Sequence, residues 1–193
     1  MPARLNLLLR RACYQMISKQ TLAQQIFAIA RLEGEFRLRS GTVSHEYFDK
    51  YLFEADPVIL NHIAQAMSKL VPANIEALAG LELGGIPLVT LLSQMTGLPA
   101  LFVRKTAKTY GTCKLVEGGE IKGRKLLLIE DVVTSGGQIL DSTHELRKLG
   151  AEIRDVLCVI DREAGGVENL AREKLNLYAL FRMSELKSAT ESL

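Results

Sequence analysis

The sequence lacks paired cysteines, a strong charge of one sign and a long hydrophobic run, and each absence argues against a class of function. Its three cysteines, Cys13, Cys113 and Cys158, are odd in number, widely spaced and without a CxxC pair. That pattern suggests neither a disulfide framework nor a zinc site, and a reducing cytoplasm is the simplest setting for it. Twenty-four basic residues against 22 acidic ones leave a net charge of +2, too little for a nucleic-acid binder or a polybasic membrane surface. Any functional charge must therefore be local. No apolar run approaches the ~20 residues of a membrane-spanning helix. His62 and His144 have no metal-ligand partners at suitable spacing, and nothing in the spacing of His45 assigns it chemistry.

What is present is globular: 193 residues, 48% of them hydrophobic and 24% charged, suit one compact domain with a sizeable core. Met1 to Gln15 carries Arg4, Arg10 and Arg11 without an acidic residue, and its apolar stretch Leu5 to Leu9 is shorter than the ~7–15 residues of a signal-peptide core. Residues 1–19 are expected to be a short N-terminal extension, or in part the product of a start assigned upstream of Met16, rather than a secretory or transit peptide.

Leu22, Ile26 and Ile29 recur at helical spacing from Thr21, and Gly34 is the expected stop of that helix. Asp56 before Pro57 places a capping side chain ahead of a first-turn proline, and Ile59, Ile63, Ala66, Met67 and Leu70 predict a second helix ending by Pro72. Ile75 to Leu78, Leu101 to Val103, Leu126 to Ile129, Val156 to Ile160 and Leu177 to Phe181 read as strands. Leu88 to Met95 and Ile139 to Leu149 read as helices between them. Strands that are continuously apolar and alternate with helices predict an α/β fold with a mostly parallel sheet covered on both faces.

The most informative stretch is Leu126 to Gly137, Leu-Leu-Leu-Ile-Glu-Asp-Val-Val-Thr-Ser-Gly-Gly. A buried strand ends at two adjacent carboxylates, Glu130 and Asp131. Val132 and Val133 lead to a small-residue turn, Thr134, Ser135, Gly136 and Gly137, and then a helix begins near Gln138. Such a turn lets backbone N–H groups wrap a phosphate at a helix N-terminus, with the two hydroxyls as further donors. The acid pair would repel that anion unless the ligand also offers hydroxyls, a metal ion or developing positive charge. Ribose 5-phosphate with Mg²⁺ and a departing pyrophosphate supplies all three. A Walker loop would need Gly-Lys-Ser/Thr, and a dinucleotide site GxGxxG, and neither is found here.

This segment resembles the phosphoribosyl pyrophosphate signature of type I phosphoribosyltransferases, whose fold is a parallel sheet with flanking helices and a hood. The resemblance implies a small N-terminal hood over about residues 20–70 and a core sheet over about 71–183. Arg104 to Gly111, Arg-Lys-Thr-Ala-Lys-Thr-Tyr-Gly, is similar to the catalytic loop of orotate phosphoribosyltransferases. That similarity implies that Arg104, Lys105 and Lys108 hold pyrophosphate, that Tyr110 has a positioning role, and that the loop closes over the neighbouring subunit of a homodimer. Phe36 to Gly41 and Tyr47-Phe48-Asp49 are similar to the family's Phe-x-Leu-Lys-Ser-Gly and Tyr-x-Asp, with Arg39 in place of the lysine as a substrate-binding cation. Gly80 to Pro87 is similar to a loop approaching pyrophosphate and base, but Gly84 stands where many relatives carry lysine. Asp161-Arg162-Glu163-Ala164-Gly165-Gly166 is similar to the family's Asp-Arg-x-x-Gly-Gly, and Arg162 is the candidate to grip orotate's carboxylate through paired hydrogen bonds.

The implied activity is transfer of ribose 5-phosphate from phosphoribosyl pyrophosphate to orotate with Mg²⁺ as cofactor, a step of pyrimidine synthesis. No residue is assigned as a direct metal ligand. Two rivals remain at this point, a purine phosphoribosyltransferase and a non-catalytic sensor of the same donor that binds nucleic acid.

Overall fold

The computed structural model describes residues 17–37, 41–106 and 114–191. Residues 1–16 of the expected extension, Arg39 in residues 38–40, and Lys108 and Tyr110 in residues 107–113 lie outside the described residues. Ser18 caps α1 (Lys19–Ala30) by accepting from the Thr21 N–H, and Leu22, Ala23, Ile26, Phe27 and Ala30 form its buried stripe.

The helix does not run on to Gly34. Past Ala30 the apolar repeat gives way to a two-residue period, in which Arg31, Glu33, Glu35 and Arg37 alternate with Leu32, Gly34 and Phe36. This segment forms β1 (Arg31–Arg37), antiparallel to β2 (Val43–Phe48). Gly34 falls at the register irregularity between Glu33 and Phe36, so it serves a strand distortion rather than a helix stop. The Phe36 and Tyr47 rings stand 5.4 Å apart. The Asp49 N–H donates to the Ala30 carbonyl at 2.8 Å and closes the base of the hairpin.

Asp49 then accepts from the Tyr51 N–H and starts α2 (Lys50–Ala55), a short helix that the periodicity did not announce. Asp56 accepts from the Val58 and Ile59 N–H groups and caps α3 (Pro57–Ser68), as the Asp-Pro pair predicts.

The remainder alternates strand and helix: β3 (Ala77–Leu81), α4 (Gly85–Thr96), β4 (Ala100–Val103), β5 (Val116–Glu117), β6 (Lys125–Val133), α5 (Gly137–Lys148), β7 (Glu152–Asp161), α6 (Gly166–Arg172), β8 (Asn176–Arg182) and α7 (Met183–Glu191). The six-stranded sheet has the order β5-β4-β3-β6-β7-β8. All pairings are parallel except β4 with β5, which bears out the predicted α/β class. The strands outrun their apolar stretches because ladder bonding continues through polar positions. Glu130 and Asp131 accordingly lie inside β6, which ends at Val133, rather than beyond its end. β3 is shifted forward to include Gly80 and Leu81, which resembled loop residues in the sequence.

Both faces are covered. Ile26, Phe53, Ile63 and Met67 of the first three helices share a core with Leu88 and Leu92 of α4, Leu127 and Leu157 of the sheet and Leu186 of α7. On the other face Ile139 and Leu146 of α5 and Leu170 of α6 pack with Ala79, Leu128 and Val156. The helices after β3 and β6 thus leave on opposite faces, and successive strands are added outward in opposite directions from this parallel pair. Their carboxyl ends define the crevice where open α/β sheets bind ligands. Among the described residues no helix is long and apolar enough to cross a membrane.

Ile63 is wholly buried where α3 meets this core. Ile63→Ala should lower the unfolding free energy by about 2–5 kcal/mol in denaturant titration, whereas a loss below half a kcal/mol would show that α3 is not integral to the sheet's core.

Candidate active site

β3 pairs with β6 only as far as Gly80 and Ile129, while β6 continues beside β7 to Val133 and Asp161. Glu130 and Asp131 therefore stand just where β3 turns away, at the floor of the crevice. Three segments meet there, and two glycines permit it. A Cβ on Gly85 would lie 2.3 Å from the Ile129 carbonyl oxygen, and one on Gly84 would lie 1.6 Å from Asp131 Oδ2. The turn between β3 and α4 is thus packed directly on the acid, which explains the glycines and leaves no room for a side chain at 84.

Asp131 is fully buried, and the Lys50 ammonium at the start of α2 lies 2.5 Å from its Oδ2. Glu130 is buried beside it, with Oε1 accepting from the Asp131 N–H at 3.1 Å. Glu54, one turn along α2 from Lys50, is buried against the same carboxylate. Three carboxylates and one ammonium therefore share a poorly solvated site, and they do not ionise independently.

Burial, reinforced by the hydrogen bond and negative charge of Asp131, pushes the Glu54 carboxyl up to about 9. The same causes in the same order raise Glu130 well above the ordinary carboxylate range. For Asp131 burial acts upward too, but hydrogen bonds from Glu130, Glu54 and Lys50 outweigh it and hold the carboxyl below its usual value. Burial alone would lower Lys50; its contact with Asp131 raises it instead. Burial thus favours the neutral form of Glu130, whereas Asp131, in contact with Lys50, is the acid of the pair whose anionic form is favoured. Both effects lessen the repulsion toward a nearby phosphate that two ionised, unpaired acids would cause.

Beyond the acids the phosphate loop takes the form its small residues allow. Thr134 and Ser135 are exposed, Gly136 adopts φ +79, and α5 begins at Gly137 with no side-chain cap. The first N–H groups of that helix have no intrahelical acceptor and point out of its end. Asn169 Nδ2 donates to the Ser135 carbonyl at 3.0 Å and braces the turn from α6. Of the two valines in the motif, Val133 is a core side chain and Val132 is half-buried, so Val133 offers the crevice only its backbone.

The loop after β7 lies alongside. The Arg162 N–H donates to the Val133 carbonyl at 2.8 Å, and a Cβ on Gly166 would come within 2.7 Å of the Thr134 carbonyl oxygen. The Arg162 side chain is exposed. Its acidic neighbours are engaged elsewhere: Asp161 Oδ1 accepts from the Glu163 N–H, and the Glu163 carboxylate accepts from the Ser184 N–H and hydroxyl. An incidental ion pair within the Asp-Arg-Glu triplet is therefore not what occupies Arg162.

Arg104 and Lys105 stand at the carboxyl end of β4. The Lys105 N–H donates to Glu82 Oε2 at 3.1 Å, while Arg104 Nε lies 3.6 Å from Glu117 of β5. Gln138 at the start of α5 donates to the Glu82 carbonyl at 2.8 Å, so the turn after β3 is tied to both neighbours. The structure thus gathers Glu130, Asp131, the Thr134 to Gly137 loop and Arg162 at one end of the sheet, with Arg104 and Lys105 on the adjoining strand. Sequence reasoning missed Lys50 and Glu54. The Tyr-Phe-Asp triplet ends at the helix cap Asp49, one residue before the cation that reaches the site.

This arrangement has known counterparts. The phosphoribosyl transferase domain family matches residues 53–175. The orotate phosphoribosyltransferase of a Nocardioides species is 51% identical over 172 residues, covering 89% of this chain and 96% of its own length. The orotate phosphoribosyltransferase of Methanocella arvoryzae is 45% identical over 79% of this chain and 87% of its own. The chain belongs to the orotate phosphoribosyltransferase family. Among solved structures, Mycobacterium tuberculosis orotate phosphoribosyltransferase in complex with 5-phospho-α-D-ribosyl 1-diphosphate superposes with a TM-score of 0.75 at 26% identity, over 88% of this chain and 98% of the other. Family membership agrees with the resemblance drawn from the sequence motifs.

The protonation pattern of the acids is open to measurement. An unfolded chain releases the Glu54 proton near the ordinary carboxylate value, whereas the folded chain keeps it up to about 9, so the Glu54 contribution to stability falls as pH rises between those limits. Glu54→Gln removes that titration. Wild-type stability in urea should therefore fall relative to Glu54→Gln between about pH 5 and pH 9, and parallel curves would show that Glu54 is ionised in the fold.

Proposed function

We propose that this chain transfers the 5-phosphoribosyl group of phosphoribosyl pyrophosphate to a ring nitrogen of orotate, releasing pyrophosphate and forming orotidine 5′-monophosphate for pyrimidine synthesis. The observation that carries this reading is the continuity of β6: one strand delivers a buried acid pair and, three residues later, an exposed small-residue cradle at the N-terminus of α5. The spacing suits a pentose whose hydroxyls meet Asp131 and Glu130 while its 5′-phosphate meets the backbone from Thr134 to Gly137. Asp131, whose anionic form Lys50 favours, accepts from a hydroxyl, and the Glu130 carboxyl beside it offers a second oxygen pair to the ribose. The relatives named above, and the donor complex of the Mycobacterium enzyme, support the choice of reaction and donor.

In this reading Arg162 orients orotate by its carboxylate, which purine bases lack. The ring nitrogen attacks the anomeric carbon as its bond to pyrophosphate breaks, and the single charge on Asp131 favours the oxocarbenium character that develops on the ribose. Arg104, Lys105 and Lys108 neutralise the leaving group; Arg104 must exchange its Glu117 partner for a phosphate oxygen to do so. Lys108, Arg39 and the positioning role of Tyr110 rest on the motif resemblance. The same resemblance supports a homodimer in which the 104–111 loop serves the neighbouring subunit, and the three widely spaced cysteines suit a cytoplasmic setting.

Mg²⁺ fits the chemistry of the site as a passenger of the donor. Asp131 and Glu130 offer the hard oxygens that the ion takes. Among the described residues, however, no group of three or more His, Cys, Asp or Glu gathers to hold a metal. Asp131 and Glu130 would be the residues that help to hold the ion together with the bound donor. When bound, it spreads the charge that builds on pyrophosphate.

The test is conversion of orotate with phosphoribosyl pyrophosphate and Mg²⁺. Arg162→Ala should raise the KM for orotate by about tenfold or more with a smaller effect on the donor, and Lys108→Ala should lower kcat on the order of 10²-fold. A wild-type chain that converts adenine, hypoxanthine or xanthine but leaves orotate untouched would remove the substrate assignment.

A further inference from the structure

Lys50 is the first residue of α2, held in place by the Asp49 cap that precedes it. Its ammonium lies 2.5 Å from Asp131 Oδ2, and the side chain is 33% exposed where Asp131 is 0% exposed, so the cation on the buried carboxylate is itself reachable from solvent. Gly84 presses on the same oxygen from the turn after β3. No side chain at 84 can bring a cation to this point, because its Cβ would overlap Asp131. Lys50 brings one from α2, and among the described residues it is the cation paired with this acid cluster.

A donor sugar must displace part of this arrangement, since its hydroxyls need the Asp131 oxygen that Lys50 now holds. We propose that Lys50 is a donor-binding residue: it neutralises Asp131 in the free enzyme, and when ribose hydroxyls take over that carboxylate its ammonium engages the diphosphate on the anomeric carbon. This rests on the phosphoribosyl-transfer reading above. The direction follows from the layout. The 5′-phosphate is cradled beyond Asp131 at the α5 N-terminus, so the opposite end of the pentose projects toward the turn after β3 and the start of α2. A lysine suits the exchange, because its flexible stem and three donors let it retain one acceptor while gaining another. Without the cation, the diphosphate would approach an ionised carboxylate unopposed.

The full chain should be titrated calorimetrically with Mg²⁺–phosphoribosyl pyrophosphate, Mg²⁺–pyrophosphate and ribose 5-phosphate, comparing wild type with Lys50→Met and Lys50→Arg. The expected result is that Lys50→Met weakens the first two ligands by about tenfold or more while ribose 5-phosphate stays within about twofold, and that Lys50→Arg restores most of the loss. Should Lys50→Met fail to fold, Lys50→Gln, which keeps a hydrogen bond to Asp131 without charge, carries the same comparison. Equal or tighter donor binding by the uncharged variant would overturn the proposal and make Lys50 a plug that the sugar expels. Equal weakening of all three ligands would overturn it as well, reducing Lys50 to a support for Asp131. A wild-type chain that binds neither phosphoribosyl pyrophosphate nor ribose 5-phosphate would instead sink the transfer reading on which the inference stands.

Discussion

A buried carboxylate is the constraint around which the rest of this molecule is arranged. Asp131 sits on the central strand of the sheet with no solvent access, and an ionised group in that position needs a cation and hydrogen-bond donors or it becomes neutral. Lys50 provides the cation and the Val132 N–H a donor, and hydrogen bonding with Glu130 and Glu54 helps to hold the carboxyl below its usual value. The glycine at 84 then lets the turn after β3 close on the carboxylate without a collision. Lys50 and Glu54 come from α2, Glu130 and Val132 from β6 itself and Gly84 from the turn after β3, so the site exists only once the helices ahead of the sheet have docked on it.

The same arrangement reconciles two demands that conflict on paper. A phosphate cradle wants positive potential, whereas a ribose-binding acid pair brings negative charge to within a few residues of it. Burial favours the neutral forms of Glu54 and Glu130, and Lys50 pairs with Asp131, whose anionic form is favoured, so the acids repel an arriving phosphate less than three free carboxylates would. Charge is thereby kept for the moment when the sugar itself becomes electron-poor. Preorganised dipoles and charges act most strongly in such a dry setting.

Much of this was legible in the amino-acid order, for reasons that differ from element to element. The alternation of apolar strands and helices predicts the sheet because both of its faces are covered. The Leu126 to Gly137 stretch reveals the acids and the cradle because strand, turn and helix follow one another without a break. Strand order is another matter. Nothing local to β3 or β6 says that they are neighbours or that the strand order switches direction between them, and that adjacency makes the crevice. Gly34 misleads because a glycine after an amphipathic helix resembles a C-terminal stop, yet the charged alternation around it belongs to a hairpin. Lys50 and Glu54 escape notice because they look like the polar residues of a short surface helix, and only tertiary packing turns them toward Asp131.

The most direct measurement is a crystal structure of the chain with phosphoribosyl pyrophosphate and Mg²⁺ bound. The account predicts the 5′-phosphate against the backbone N–H groups between Thr134 and Gln138, with the ribose 2′ and 3′ hydroxyls on Asp131 and Glu130. A donor seated in any other cleft, or a pentose that leaves the β6 carboxylates untouched, would contradict it.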